Sequence, residues 1–111
     1  MGKLVTEMLK GTLEGIVLAI IADRPAYGYE ITAALREEGF ADIAEGTVYA
    51  VLVRIERGGL VDVQKVPSDM GPPRKVYSLN RTGRRRLADF WGTWDFLSAR
   101  LERLREGSGS A

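Results

Sequence analysis

Apolar residues recur at helical spacing near the start of the chain. Between Leu9 and Ala22 they stand mostly three or four positions apart, and the stretch from Leu13 to Ala22 is non-polar apart from Glu14. The pattern predicts a helix that is buried on more than one side. Pro25 disfavours helical geometry at the residue before it, so we expect the helix to end there. Thr12 is a candidate N-cap, although the pattern also allows a start near Lys3.

Two further segments predict a second and a third helix. The second runs from about Tyr27 to Glu38, with core contacts from Ile31 and Leu35, and Gly39 is a suitable residue to end it. The third begins near residues 45–47 and ends at the glycine pair 58–59. Its predicted buried face holds Val48, Val51, Leu52 and Ile55.

The pattern changes to strand-like alternation after the third helix. Leu60 to Val66 alternates, residues 67–73 are rich in proline and glycine, and Lys75 to Leu79 can form a partner strand. Three helices followed by a β-hairpin make a winged helix-turn-helix. We therefore expect a mainly α fold with a small β-hairpin, the wing, in residues 1–80.

A long C-terminal helix is predicted from about Thr82 to Arg105. Its main apolar residues follow one another at intervals of 3, 4, 3, 4 and 3, the a/d pattern of a coiled-coil seam. Trp91 and Phe96 widen this stripe, which favours a symmetric homodimer over a helix that only packs on its own chain. We expect a dimerisation helix in residues 81–106 and a flexible tail in residues 107–111. The predicted dimerisation residues are Leu87, Phe90, Trp94, Leu97, Leu101 and Leu104.

Composition excludes several classes of function. The chain has no cysteine and no histidine, so it lacks disulfides, thiolate zinc sites, a cysteine nucleophile and the commonest general base. We therefore expect no enzymatic activity, no metal and no cofactor. No apolar run approaches the roughly 20 residues that span a bilayer, so we expect no membrane association and a cytoplasmic location.

Positive charge is concentrated in the second half of the chain. The net charge is only +1, but residues 54–86 contain nine basic and three acidic side chains. Such local excess suits double-stranded DNA, because neutralised phosphates and released counterions supply most non-specific affinity. A mixed, solvated surface would also accommodate this charge.

Three segments in order resemble one family. They are LKGTLEGIVLAIIADRPAYGYEI (9–31), GTVYAVLVRIERGGLV (46–61) and GPPRKVYSLNRTGRRRL (71–87). The chain resembles the PadR family of transcriptional regulators, in a short form with a single C-terminal helix. The resemblance implies a dimeric repressor that occupies a pseudo-palindromic operator and is released by a small, often aromatic ligand. Ala50, where the family often has proline, and Asn80, where a threonine commonly starts the last helix, depart from the pattern.

The start of the third helix holds the first candidate DNA contacts, because recognition helices meet base edges and phosphates there. Thr47 can contact a phosphate or a thymine methyl group, and Tyr49 can donate to a phosphate. The alternatives are helix capping for Thr47 and core packing for Tyr49. Further along, Arg54 can reach a base or phosphate, whereas Arg57 suits a backbone contact or a salt bridge.

The wing and the second helix supply the remaining DNA candidates. Lys65, Arg74 and Lys75 flank a loop that can lie along the minor groove, and a solvated hairpin is the alternative. The resemblance implies a tyrosine near the DNA backbone at the start of the second helix. We expect Tyr27 to contact phosphate and Tyr29 to pack inside.

The resemblance also implies a possible effector site. In multidrug-binding relatives, a tryptophan eleven residues after the glycine matching Gly83 stacks planar ligands in a dimer-interface cavity, and Trp94 has this position here. Aromatic core packing is the alternative role. The neighbouring effector candidates are Trp91, Met8 and Leu4. For the whole chain, the alternative function is a winged-helix ligand-binding or protein-interaction module without a DNA target.

Overall fold

The computed structural model describes residues 2–109 as four helices and three short strands. The helices are α1 (Lys3–Asp23), α2 (Gly28–Glu37), α3 (Glu45–Arg57) and α4 (Arg81–Gly109). The strands are β1 (Ala26–Tyr27), β2 (Val61–Val66) and β3 (Arg74–Leu79). This arrangement confirms the predicted mainly α fold with a β-hairpin and a long C-terminal helix.

The first helix begins earlier than its N-cap candidate suggested. It starts at Lys3, as the alternative prediction allowed, and Thr12 lies inside it. The Thr12 hydroxyl donates to the carbonyl oxygen of Met8, one turn earlier, at 3.3 Å. A hydroxyl engaged in this way does not cap a helix start, so the assignment of Thr12 as N-cap was wrong.

The hairpin gains a third strand that the sequence pattern did not reveal. β1 pairs antiparallel with β3, with Ala26 opposite Tyr77 and Tyr27 opposite Val76. The sheet order is therefore β1-β3-β2. Because β1 leads directly into α2, this pairing attaches the start of α2 to the wing.

The core lies where α1, α2, α3 and the sheet meet. The predicted apolar faces of α2 and α3 are buried there, with Ile31, Leu35 and Ile55 fully inaccessible. On α1, Val17 and Leu18 fill the centre of the same cluster. Packing of the inner face of α3 on these elements therefore fixes the position of its exposed outer face.

The start of α4 is fixed to the body of the domain by Asn80. The backbone N–H of Gly83 donates to Asn80 Oδ1 at 2.9 Å, which is the bond expected of an N-cap. The side-chain amide of Asn80 also donates to the carbonyl oxygen of Gly59 at 2.9 Å. Asn80 thus caps α4, where the resemblance implied a threonine, and adds a link to the end of α3.

The first two residues of the predicted dimer seam pack inside their own chain. Leu87 is half-buried against the core, and the Phe90 ring lies so close to Gly15 of α1 that a methyl group at Gly15 would overlap it. Leu87 and Phe90, which the spacing assigned to dimerisation, therefore pack on their own chain, because a periodic stripe does not distinguish the protein's own α1 from a second copy.

After Phe90, α4 extends beyond the packed core. All side chains from Trp91 to Gly107 are exposed except Ser98, which is half-buried. The helix continues through residues 107–109, where we expected a tail to begin, and residues 110–111 of that tail lie outside the described part of the chain. Within residues 2–109, no helix is long and apolar enough to cross a membrane.

Candidate nucleic-acid interface

The outer face of α3 is an exposed strip of mixed character. Successive helical residues are about 100° apart, which sets Tyr49 on one edge of the strip and both Thr47 and Arg54 on the other. Tyr49 is 62% exposed, so it does not pack in the core. Helix α3 is capped by Ala44 without a side-chain bond, so Thr47 does not serve as a cap either. Both side chains are free to meet a ligand.

Four of the predicted DNA contacts meet in one groove between α2, α3 and β3. The groove has a volume of about 790 Å³. They come together because the β1–β3 pairing carries the start of α2 to the wing, while α3 packs against α2. We call this feature the tyrosine groove; its residues are Tyr27, Gly28, Tyr29, Tyr49, Leu52, Pro73, Arg74, Lys75 and Tyr77.

Tyr29 belongs to this groove and does not pack inside, contrary to our expectation. Its side chain is 59% exposed and its ring stacks on Tyr27, with centroids 5.5 Å apart and 11° between the planes. The guanidinium carbon of Arg74 lies 5.4 Å from the centre of the Tyr29 ring. The helical angle could have revealed this, because Tyr29 lies about 160° around α2 from the buried Ile31.

Lys75 is held by an acidic partner on α3. Its ammonium nitrogen lies 3.1 Å from Oε1 of Glu56, and this hydrogen bond and charge raise the pKa of Lys75 above its usual value. Lys65 stands directly opposite Lys75 on β2. Like charges facing each other across strands repel, so an anion at the wing would relieve the repulsion.

Arg54 lies apart from the tyrosine groove, on the α1 side of α3. Its guanidinium is 3.8 Å from Oε2 of Glu14, and Arg86 of α4 approaches Oε1 of the same carboxylate at 3.3 Å. Arg54 and Thr47 line a second cleft between α1 and α3. Six of the seven predicted DNA contacts therefore form two groups, one on each side of the α3 strip, and Lys65 of β2 lines neither the groove nor the cleft. Among the described residues, Arg57 is exposed and takes part in no ion pair.

The effector candidates are not enclosed together within the described part of the chain. Trp94, Met8 and Leu4 are exposed. Trp91 lines a cleft with Ile20 and Phe40, and that cleft contains none of the other three candidates.

Known proteins resemble this chain in sequence and in fold. The family model "Transcriptional regulator PadR-like family" matches residues 17–89. The structure of a Streptococcus transcriptional regulator is 42% identical, covers 88% of this chain and 96% of its own, and superposes with a TM-score of 0.79. A PadR-like transcriptional regulator from Bacillus cereus is 36% identical over 88% of this chain and 95% of its own, with a TM-score of 0.77.

A third structure is similar in fold. Bacillus subtilis PadR in complex with operator DNA is 21% identical, covers 72% of this chain and 47% of that chain, and has a TM-score of 0.64.

Proposed function

Because this chain belongs to the PadR-like family of transcriptional regulators, we propose that it binds a pseudo-palindromic operator as a homodimer and represses transcription until a small planar ligand releases it. The observation that carries this proposal is the common face formed by the α3 strip and the wing. On that face the exposed strip of α3 and basic wing residues lie side by side.

The two sides of α3 would do different work on DNA. Thr47 and Arg54 are within reach of base edges when α3 enters the major groove, whereas Tyr49 on the opposite edge suits a phosphate. Lys65 and Arg74 of the wing extend the contact along the DNA backbone. The fold shared with Bacillus subtilis PadR, which was solved in complex with operator DNA, supports DNA as the partner.

The outer half of α4 would join two copies. Trp94, Leu97, Leu101 and Leu104 keep the seam spacing and expose large apolar side chains, from 40% for Trp94 to 67% for Leu104. Helices with such a stripe are stable in water when a partner helix covers it. A two-fold axis between paired α4 helices would present two α3 helices to one operator.

A ligand at Trp94 would act through this contact between the two α4 helices. The indole offers a flat apolar surface that suits a planar aromatic molecule, and in the proposed dimer its symmetry mate would lie across the two-fold axis. A ligand inserted there would change the separation of the two α3 helices. That separation must match the spacing of the half-sites for both helices to bind. This is how binding at α4 would lower affinity for DNA.

Selection from a random DNA pool tests the proposed operator. We expect the enriched sequences to form a palindrome whose half-sites lie about 34 Å, one helical turn, apart. If no palindrome is enriched, the repressor proposal is wrong. Unchanged gel mobility at low salt, together with strong quenching of Trp94 fluorescence by planar compounds, would favour the ligand-binding module without a DNA target.

A charge-matched pair of variants tests the role of the wing. Replacing both Arg74 and Lys75 by alanine should weaken binding to all sequences and reduce the slope of log K against log salt by about one to two, since each phosphate contact contributes about 0.9. The control replaces Arg84 and Arg85 of α4, which removes the same charge elsewhere. Equal losses from the two variants would mean that the wing has no specific role.

A further inference from the structure

We propose that Tyr29 is a positioning residue for DNA binding: its ring, stacked on Tyr27, holds the Arg74 guanidinium at the place where the wing meets a phosphate. This inference rests on the proposed function, because it assumes that the wing contacts DNA. It assigns a role to Tyr29, which the sequence pattern did not identify as part of the DNA-binding site.

The ring of Tyr29 is itself held in place. It stacks nearly parallel on Tyr27, whose backbone is paired with Val76 of β3. The N–H of Tyr27 donates to Oε1 of Glu30 at 2.9 Å, which fixes the turn from β1 into α2. Through Tyr27, the Tyr29 ring is thus attached to β3, the strand that carries Arg74.

The side chain of Arg74 depends on the Tyr29 ring for its position more than the side chain of Lys75 does. It is the first residue of β3 and is exposed, and the proline- and glycine-rich loop precedes it. Lys75, the next residue, has a partner in Glu56 of α3. Arg74 has its cationic group 5.4 Å from the Tyr29 ring centre, within the range of a cation–π contact.

A cation over an aromatic face keeps its hydrogen-bond donors free. When a guanidinium stacks on an aromatic ring, its N–H groups point outward in the guanidinium plane. Arg74 can therefore remain on Tyr29 while it donates to a phosphate. Holding the side chain in advance reduces the rotamer freedom lost on binding.

The expected effect is modest and measurable. A cation–π contact at an exposed site corresponds to about a two- to fivefold change in an equilibrium constant. Tyr29→Leu should weaken binding to the selected palindromic duplex by about this factor, and Tyr29→Phe should bind like the unchanged protein. In an Arg74→Ala background, Tyr29→Leu should cause no further loss.

Tyr49→Leu is the matched control, because this tyrosine lines the same groove without lying under Arg74. Its effect should add fully to that of Arg74→Ala. The inference is overturned if Tyr29→Leu binds normally, if its loss adds fully to that of Arg74→Ala, or if Tyr29→Phe binds as weakly as Tyr29→Leu. The last result would mean that the hydroxyl contacts DNA directly.

A measurement without DNA separates this inference from the proposed function. In the free protein, the ring of Tyr29 should shift the NMR signals of the Arg74 δ-methylene protons upfield, and Tyr29→Leu should remove that shift. Absence of the shift in the unchanged protein overturns the positioning role even if the protein binds its operator. If the shift is present but no duplex binds at low salt, the proposed function fails, and with it the role on DNA.

Discussion

Replacing Gly83 by alanine should destabilise the protein at the junction of α4 and the wing. A Cβ atom at this position would overlap the carbonyl oxygen of Leu60 and lie 2.5 Å from Cδ1 of Leu79. The oxygen belongs to the backbone and has no alternative rotamer, so α4 or β2 must move. Overpacking of this kind costs about 3 kcal/mol at the upper end of its usual range. The gain in helix propensity from glycine to alanine returns about 1 kcal/mol, which leaves a net loss of about 2 kcal/mol.

Thermal unfolding at one fixed protein concentration measures this loss. For a domain of this size, 2 kcal/mol corresponds to a fall in Tm of roughly 8–16 °C. Gly46→Ala is the matched control, because Gly46 also lies in the first turn of a helix and has nothing within 4 Å of an added Cβ. It should raise Tm slightly. If Gly83→Ala is as stable as Gly46→Ala, the close packing of α4 on Leu60 is not present in solution.

Three other substitutions test single contacts. Asn80→Ala removes the cap of α4 and should cost about 1 kcal/mol in urea unfolding, whereas an unchanged midpoint would contradict the capping role. Since Glu56 raises the pKa of Lys75, their pair stabilises the fold below about pH 10.4 and loses this effect as pH rises through the raised pKa. Glu56→Gln should lower the pKa of Lys75 in an NMR titration, and no change would refute the pairing. Glu14→Gln should release Arg54 and strengthen DNA binding by at most about fivefold, an effect that should vanish when Arg54 is replaced by alanine.

The core of the fold followed from periodicity, because large apolar residues repeat on one face of each helix. Val48, Ile55 and Leu35 are buried as the spacing predicts. The start of α1 was less certain, since its first two turns are exposed and lack a side-chain cap. Strand β1 escaped prediction because two residues cannot show alternation, and only their pairing with β3 defines them.

The residues of the candidate site were easier to predict from the sequence than the way they are arranged. Exposure of Tyr49 and Arg74 agrees with the helical and strand patterns. The ion pair between Lys75 and Glu56 joins residues 19 positions apart, so it depends on tertiary packing. Phe90 illustrates the same limit, because heptad spacing marks an apolar face without identifying what covers it.

Site-directed DNA cleavage tests most directly whether the α3 face of a dimer meets the operator. Because the chain has no cysteine, Ala50→Cys creates a single attachment site for a cleavage reagent, at an exposed position in the middle of the α3 strip. The proposal predicts two clusters of cuts, related by the two-fold axis of the selected operator and about 34 Å apart. A reagent at Glu38→Cys, beyond the end of α2, should give no such cuts. Uniform cleavage, or equal cleavage from both positions, would contradict the assignment of this face to operator recognition.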